Sequence, residues 1–375
     1  MTGASLTAIT MPQWGLTMTE GKVVGWLKKP DQPLTEGEEL LEIETTKITN
    51  VVEAPVGGTL KRIVAEAGAT LPVGALLAVI GPAGASPADV DSFVRNFRVV
   101  EPAKEAVGAQ AETLTREIEA GGRRLRVLET GEGGIPVVLV HGFGADLGSW
   151  MFVQPSLARG RRTVALDLPG HGGSTKDVGS GDRKTMTVVL AGALEALGIG
   201  RAHLVGHSLG GAIAASLAIA RPASVASLTL IASAGLGAEI NRSFIEGFVR
   251  AERRKEVAEL LGVLIHDPGA VSRRMVEDVL RYKRLDGVPE ALAAIAAAWF
   301  ADGRQAVDLR AEIAALDIPI QAIWGETDRV IPASHAKSLP KSAAVHVLAG
   351  TGHMPHMERA GEVSQLIDRV ALRET

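Results

Sequence analysis

Three polar residues in separate parts of the chain have the types that acyl-transfer chemistry by a serine requires. Ser208 lies within the run G-H-S-L-G at 206–210, after a short apolar stretch and before an alanine-rich stretch. A glycine-flanked serine between a strand and a helix is typical of a sharp turn that exposes the hydroxyl as a nucleophile. Asp328 and His353 follow in the chain, each after a stretch with a strand pattern. The sequence therefore predicts a Ser-Asp-His site.

Two of these assignments have rivals nearby. His356 lies three residues after His353, and Glu326 lies two residues before Asp328. Either neighbour has the chemistry of the residue that it would replace, so spacing alone leaves both pairs open. No Cys and no H-E-x-x-H motif occurs in the chain, so thiolate catalysis is excluded and a metal site is not predicted.

The candidate residues need a sheet to hold them. Short continuous apolar runs such as 135–140 predict buried parallel strands. That run leads into H-G-F-G at 141–144, a turn whose backbone N–H groups can face a ligand. Asp167 and His171 follow another strand pattern, and we expect them to hold a loop beside the site rather than to react.

From about Leu125 onward the chain resembles the α/β-hydrolase family, and we place this domain at 115–375. The resemblance implies a nucleophile at Ser208, an acid at Asp328 and a base at His353, and it favours these residues over Glu326 and His356. It also implies an oxyanion hole formed by the backbone N–H groups of Phe143 and Leu209.

A stretch with helical periodicity and clustered charge, about 236–315, interrupts the strand patterns and predicts a helical lid. Its charge run at 250–256 is either a solvated helix face or a surface that attracts the phosphates of coenzyme A. The sequence does not choose between them.

An internal repeat organises the first 81 residues. Seven apolar or glycine positions recur 37 residues later, which indicates one structural unit used twice and predicts a small β-sandwich. The first copy contains Gly21, Val23, Leu27, Leu34, Gly37, Leu40 and Ile43, and the second contains Gly58, Leu60, Val64, Leu71, Gly74, Leu77 and Ile80. Between the copies, two apolar stretches around a polar interruption predict a hairpin with Lys47 near its tip.

Residues 1–81 resemble a lipoyl domain, in which the modified lysine lies at the turn that joins the two halves. The resemblance therefore implies lipoate attached to Lys47. Biotin carriers flank their lysine with Met, whereas Thr46 and Ile48 flank it here, so lipoate is preferred. The familiar 2-oxo-acid complexes usually have Asp before this lysine, and Thr46 is closer to what acetoin-type complexes show.

Residues 82–114 are rich in Ala and Pro and predict a linker. Within it, Ser86 and Pro87 resemble a helix start, and an apolar stripe from Val90 to Phe97 follows at helical spacing. This short helix docks either on its neighbouring domain or on a partner subunit.

Composition limits the remaining classes. The net charge of −4, with no basic run, argues against nucleic acid or anionic membrane as a partner. The uncharged stretch 202–220 contains His203 and a Gly pair, so a strand, a turn and a helix explain it better than a membrane span. The first 18 residues have no signal-peptide pattern, which favours the cytoplasm.

The whole chain resembles the dihydrolipoyllysine-residue acetyltransferases of acetoin dehydrogenase complexes. That resemblance implies acetyl transfer from dihydrolipoyl-Lys47 to coenzyme A. The implied partners are a thiamine-diphosphate-dependent acetoin-cleaving component and dihydrolipoyl dehydrogenase, around a homo-oligomeric core. The H-x-x-x-D-G signature of ordinary lipoyl acyltransferases is absent. A serine hydrolase or thioesterase, or a carrier with a non-catalytic hydrolase-like domain, therefore remains an alternative.

Overall fold

A computed structural model describes residues 6–12, 20–35, 37–44, 49–97 and 115–371. The chain divides into two compact units, Met1–Gln110 and Ala111–Thr375. Each unit has its own hydrophobic core.

The first unit is a sandwich of two four-stranded antiparallel sheets, with strand orders β1-β8-β6-β3 and β5-β4-β2-β7. Its strands are β1 (Thr7–Thr10), β2 (Glu20–Trp26), β3 (Pro33–Leu34), β4 (Glu39–Glu44), β5 (Thr49–Glu53), β6 (Gly58–Ile63), β7 (Thr70–Pro72) and β8 (Leu76–Gly81). Adding four to each strand number of the first order, counted cyclically over the eight strands, gives the second order. The repeat in the sequence is thus a repeat in the structure, and the predicted β-sandwich is confirmed.

The repeated apolar residues form the core of the sandwich. Val23, Leu40 and Leu77 are fully buried, and removal of such side chains from water is the main driving force for a fold of this size. Strands β4 and β5 pair as a hairpin, with Glu44 opposite Thr49. Lys47 lies outside the described residues, so its place at the hairpin tip stays a prediction.

A helix, α1 (Pro87–Asn96), packs on this sandwich. Ser86 caps it by accepting the Asp89 N–H, and Val90 packs against Leu76 and Val79 of β8. Arg62 of β6 forms an ion pair with Asp91. Of the two expectations for this helix, docking on its neighbouring domain is the one that the structure shows.

The second unit is built on an eight-stranded sheet of order β16-β15-β14-β13-β11-β12-β10-β9. Its strands are β9 (Thr115–Ala120), β10 (Arg123–Thr130), β11 (Val137–Val140), β12 (Thr163–Leu166), β13 (Ala202–His207), β14 (Val225–Ile231), β15 (Ile320–Gly325) and β16 (Ala344–Leu348). Strands β11 to β16 run parallel, whereas β9 and β10 pair antiparallel. The carboxyl ends of the parallel strands therefore meet along one edge, where sites form in such sheets.

Helices cover both faces of this sheet. They are α2 (Gln154–Leu157), α3 (Arg183–Ala196), α4 (Leu209–Ala220), α5 (Arg242–Arg250), α6 (Arg254–Leu264), α7 (Arg273–Lys283), α8 (Val288–Trp299), α9 (Arg310–Ala314), α10 (Pro355–Glu358) and α11 (Ala360–Ala371). In β11, Val138 and Val140 join the core under α3 and α4, and Val137 and Leu139 join the core under α11. A strand buried on both faces explains the continuous apolar run in the sequence.

The segment between β14 and β15 carries helices α5 to α9, and α6 and α7 share a small apolar core of their own. The predicted helical lid is confirmed. The uncharged stretch 202–220 forms β13 and α4, as expected. In the described ranges, no helix combines the length and apolar content that crossing a bilayer demands.

The packing of α1 on the sandwich leads to a stability prediction. Val90→Ala in the fragment 1–110 should lower the free energy of unfolding by about 2 kcal/mol, because Val90 is only 2% exposed. Val56→Ala is the matched control, and its cost should stay below about 0.5 kcal/mol because Val56 is 37% exposed. Urea unfolding of both variants measures the difference, and equal costs would contradict the docking of α1.

Candidate active site

Ser208 occupies a strained turn between β13 and α4. Its φ of 53° and ψ of −119° lie outside the regions that non-glycine residues favour, at a cost of order 1–3 kcal/mol. Two of its backbone hydrogen bonds tie the turn to the end of β14 and the residues after it. The Ser208 N–H donates to the Ile231 carbonyl at 2.9 Å, and the Ala234 N–H donates to the Ser208 carbonyl at 3.0 Å.

The glycines that flank Ser208 are required by close backbone approach. A Cβ at Gly206 would overlap the Gly210 carbonyl, and a Cβ at Gly210 would overlap the carbonyls of Val140 and His141. The turn therefore sits directly against the end of β11. The two glycines of the G-x-S-x-G pattern are thus required by the available space, since neither has a positive φ.

His353 and Asp328 form a buried pair on neighbouring loops. His353 Nδ1 and Asp328 Oδ2 are 2.8 Å apart, with the side chains 2% and 0% exposed. The other carboxylate oxygen of Asp328 accepts the N–H groups of Val330 and Ile331. Since a carboxylate accepts, Nδ1 donates, and Nε2 is left free to take a proton.

The two loops meet because Gly325, at the end of β15, has no side chain. A Cβ there would overlap the carbonyls of Thr351 and Gly352. Two hydrogen bonds hold the backbone of His353. Its N–H donates to the Leu264 carbonyl at 2.7 Å, and its carbonyl accepts from His207 Nε2 at 2.9 Å. The backbone that carries the His353 ring is therefore fixed relative to the serine turn.

The alternative residues, Glu326 and His356, do not form such a pair. Glu326 is exposed. His356 is fully buried between Trp150 and His207, with ring centroids 4.6 and 4.5 Å away, and within the described residues neither of its ring nitrogens has a hydrogen-bond partner. Burial, with a smaller contribution from His353, lowers the pKa of His356 to about 3. Its ring is therefore neutral at pH 7.

The backbone at 142–143 lies beside the serine. A Cβ at Gly142 would stand 3.0 Å from the Ser208 Cβ. Among the described residues, the N–H groups of Phe143 and Leu209 have no acceptor, and Leu209 begins α4, whose N-terminus carries partial positive charge. Both donors of the expected oxyanion hole are thus unoccupied by the protein itself.

Two buried histidines lock the loop that carries Phe143. His141 accepts the Leu168 N–H at Nε2 (3.0 Å), and His171 accepts the Gly144 N–H at Nε2 (3.1 Å). Burial lowers the pKa of both rings, that of His171 to about 3. Neutral rings can accept these N–H groups, as protonated rings cannot.

Asp167 supports the same region. One carboxylate oxygen accepts the Leu147 N–H, and the other accepts the Gly173 N–H and an Arg126 side-chain N–H. These are the contacts of a loop-holding residue, as the sequence predicts for Asp167 and His171.

Ser208 and His353 line a cavity of about 620 Å³ beneath the lid. Its wall is mostly apolar, and the ring of Phe248 contacts Phe143 edge-on and Phe244 in a tilted arrangement. Four carboxylates also line it, and none of the described lining residues is Lys or Arg. The four carboxylates are those of Asp146, Asp267, Asp278 and Glu358. The cavity therefore suits an uncharged group and disfavours an anion.

Sequence reasoning missed two residues here. His207 clamps the carbonyl of His353, and its position next to the serine was the available signal. Tyr282 of α7 lines the cavity and donates its hydroxyl to the Gly170 carbonyl at 2.9 Å. It is the only tyrosine in the chain, which could have drawn notice.

The depressed pKa of His356 predicts a pH dependence of stability. Below its usual pKa of about 6.5, the unfolded chain protonates this residue, whereas the folded chain does so only near pH 3. Its contribution to stability is therefore complete above pH 6.5 and declines as pH falls toward 3, by about 2 kcal/mol at pH 5.

His356→Phe should reduce the loss of unfolding free energy between pH 7 and pH 5 by that amount. Urea unfolding at the two pH values measures it. An equal loss in variant and parent would show that His356 is not buried as a neutral ring.

Comparisons with known proteins agree with this architecture. A family model described as "alpha/beta hydrolase fold" matches residues 135–360, and one described as "Biotin-requiring enzyme" matches residues 7–80. A solved meta-cleavage product hydrolase from Pseudomonas fluorescens shares the fold of the second unit (TM-score 0.65, 22% identity, covering 70% of this chain and 99% of that one).

Two curated relatives match both units. Each is a dihydrolipoyllysine-residue acetyltransferase component of an acetoin cleaving system. The one from Pseudomonas putida is 47% identical, over 95% of this chain and 96% of its own. The one from Cupriavidus necator is 42% identical, over 96% of each. The chain belongs to the family of dihydrolipoyllysine-residue acetyltransferase components of acetoin cleaving systems.

Proposed function

We propose that this chain transfers an acetyl group from a dihydrolipoyl thioester to coenzyme A, as the acetyltransferase component of a cytoplasmic acetoin-cleaving complex. One observation carries the proposal. A serine with unoccupied oxyanion donors and a histidine paired with a buried aspartate border one apolar cavity, in a chain that also carries a lipoyl-type domain. Similarity to the two acetoin-system relatives along nearly the whole chain supports the choice of acyl group.

Lys47 is the proposed attachment point for lipoate, between the paired strands β4 and β5. Lipoate attached there supplies a thiol that carries the acetyl group as a thioester. The residues around Ser208 fit such a group, since the mostly apolar cavity of about 620 Å³ can take an aliphatic chain without burying an unpaired charge.

The first half of the reaction acylates the serine. His353 Nε2 takes the proton of the Ser208 hydroxyl while Oγ bonds to the thioester carbonyl carbon. Asp328 stabilises the imidazolium that forms, and the N–H groups of Phe143 and Leu209 donate to the developing oxyanion. The carbon–sulfur bond then breaks, and His353 returns the proton to the departing sulfur, which leaves acetyl-Ser208.

The second half reverses these roles. His353 Nε2 accepts the proton of the coenzyme A thiol, whose sulfur attacks the carbonyl carbon of acetyl-Ser208. The bond to Oγ breaks, Ser208 recovers its proton from His353, and acetyl-coenzyme A is released. Helices α5 to α7 cover the cavity, and exclusion of water there favours the thiol over hydrolysis.

The proposal includes the partners that the family resemblance implies. These are a thiamine-diphosphate-dependent acetoin-cleaving component, dihydrolipoyl dehydrogenase and a homo-oligomeric arrangement of this chain. A serine hydrolase or thioesterase that travels with a carrier is the second candidate, because the same site geometry performs hydrolysis when water is the acceptor.

One assay separates these functions. Full-length protein with acetyl-dihydrolipoamide and coenzyme A should yield acetyl-coenzyme A, and Ser208→Ala should lower the turnover at least about 10⁴-fold because the nucleophile is lost. His353→Ala should cost about as much. His356→Phe, the matched control, should cost less than about tenfold, since His356 does not contact Asp328.

Free acetate as the main product would favour the hydrolase, and no reaction would favour a non-catalytic domain. A larger loss in His356→Phe than in His353→Ala would move the base to His356.

The lipoyl assignment has its own test. Intact-mass analysis of protein made in lipoate-replete cells should show one lipoyl group, and Lys47→Arg should abolish it without loss of folding. Peptide mapping provides the control, because Lys28, Lys29 and Lys61 should stay unmodified. Lipoate on any of those three lysines would refute the hairpin argument.

A further inference from the structure

A second concavity lies on the lid, at the start of α6 and the end of α7. It has a volume of about 780 Å³ and is lined by four arginines, two glutamates and two leucines. These are Arg253, Arg254, Arg281, Arg284, Glu252, Glu277, Leu280 and Leu285. We call it the arginine groove. An excess of cations in one concavity is notable in a chain whose net charge is −4.

The arginines of the groove are not all neutralised. Arg254 pairs with Glu277, and Arg253 and Arg281 pair with residues three positions away on their own helices. Arg284 is exposed and makes no ion pair in the described part of the chain. Exposed ion pairs of this kind contribute little stability. A phosphate can therefore replace the carboxylate partner of these guanidinium groups at a low cost in free energy.

The groove also has an apolar side. Leu285 is 47% exposed, and Leu280 lies beside it in the lining. A guanidinium-lined concavity with an exposed leucine suits a ligand that combines phosphates with a flat ring, such as an adenine nucleotide.

The position of the groove relates it to the acyl site. Helix α7 presents Met275, Val279 and Tyr282 to the cavity, and Leu280, Arg281 and Arg284 to the groove. At 3.6 residues per turn these two sets lie on opposite faces of one helix. The two concavities are therefore separated by little more than a helix diameter, about 10–12 Å.

The cavity itself disfavours a phosphate group, because four carboxylates and no Lys or Arg line its described wall. A thiol acceptor that carries phosphates must place them outside. We propose that the arginine groove binds the 3′-phosphate and diphosphate of coenzyme A, on the face of α7 opposite to the one that lines the cavity of Ser208. This inference rests on the proposed transfer to coenzyme A.

The kinetic test compares acceptors with and without phosphates. In lipoylated full-length protein with acetyl-dihydrolipoamide as donor, Arg284→Gln and Arg281→Gln should each raise the KM for coenzyme A about tenfold. The kcat, and the KM for pantetheine, should not change. Arg242→Gln is the matched control, because Arg242 is an exposed lid arginine outside both the groove and the charge run 250–256, and it should leave every parameter unchanged.

A binding experiment needs no turnover. Calorimetry of the full chain with adenosine 3′,5′-bisphosphate should show binding that weakens with added salt and is lost in the Arg281→Gln/Arg284→Gln double variant. Thermal unfolding should show that the double variant folds normally, since both side chains are exposed.

The failures of the two proposals are distinguishable. If acetyl-coenzyme A forms and its KM is the same in parent and double variant, the groove proposal is wrong and the transfer stands. If the parent releases acetate and makes no acetyl-coenzyme A, the transfer is wrong, and the assignment of the groove to coenzyme A falls with it.

Discussion

The strained backbone at Ser208 is the constraint to which the surrounding structure is fitted. A positive φ at a serine costs free energy, and the turn persists because two backbone hydrogen bonds, to Ile231 and from Ala234, tie it to the end of β14 and the residues after it. The turn also needs room. Gly210 provides it by letting α4 approach the carbonyls at the end of β11. Strand order, glycine placement and the exposed hydroxyl therefore depend on one another.

In the mechanism proposed for this site, burial also determines which group can take the proton of Ser208. His207 and His356 contact the ring of His353 or each other, and desolvation holds the pKa of both well below the ordinary value. They do not compete for a proton at neutral pH. Only His353 has a carboxylate partner in this cluster, so charge that develops during the reaction is stabilised at one ring. The neutral rings instead serve as hydrogen-bond partners and packing surfaces.

Much of the fold could be predicted from local patterns. The 37-residue repeat became two equivalent sheets, and G-x-S-x-G became the turn before α4, because both signals are carried by residues close in sequence. The choice between His353 and His356 could not be made from their spacing. It depends on Gly325, which lets the loop after β16 approach the end of β15. The four carboxylates of the cavity come from different loops and helices, so no local sequence pattern predicts them.

The lid and the candidate triad are joined at the C-terminal end of α6, where helix carbonyls lack intrahelical partners. The loop after β15 satisfies the carbonyls of Gly262 and Ile265 through the Arg329 guanidinium, one residue beyond Asp328. The loop after β16 satisfies the Leu264 carbonyl through the N–H of His353. Displacement of α6 would break hydrogen bonds of both loops. A closed lid and an aligned Asp328–His353 pair are thus parts of one arrangement, which couples exclusion of water to readiness for acyl transfer.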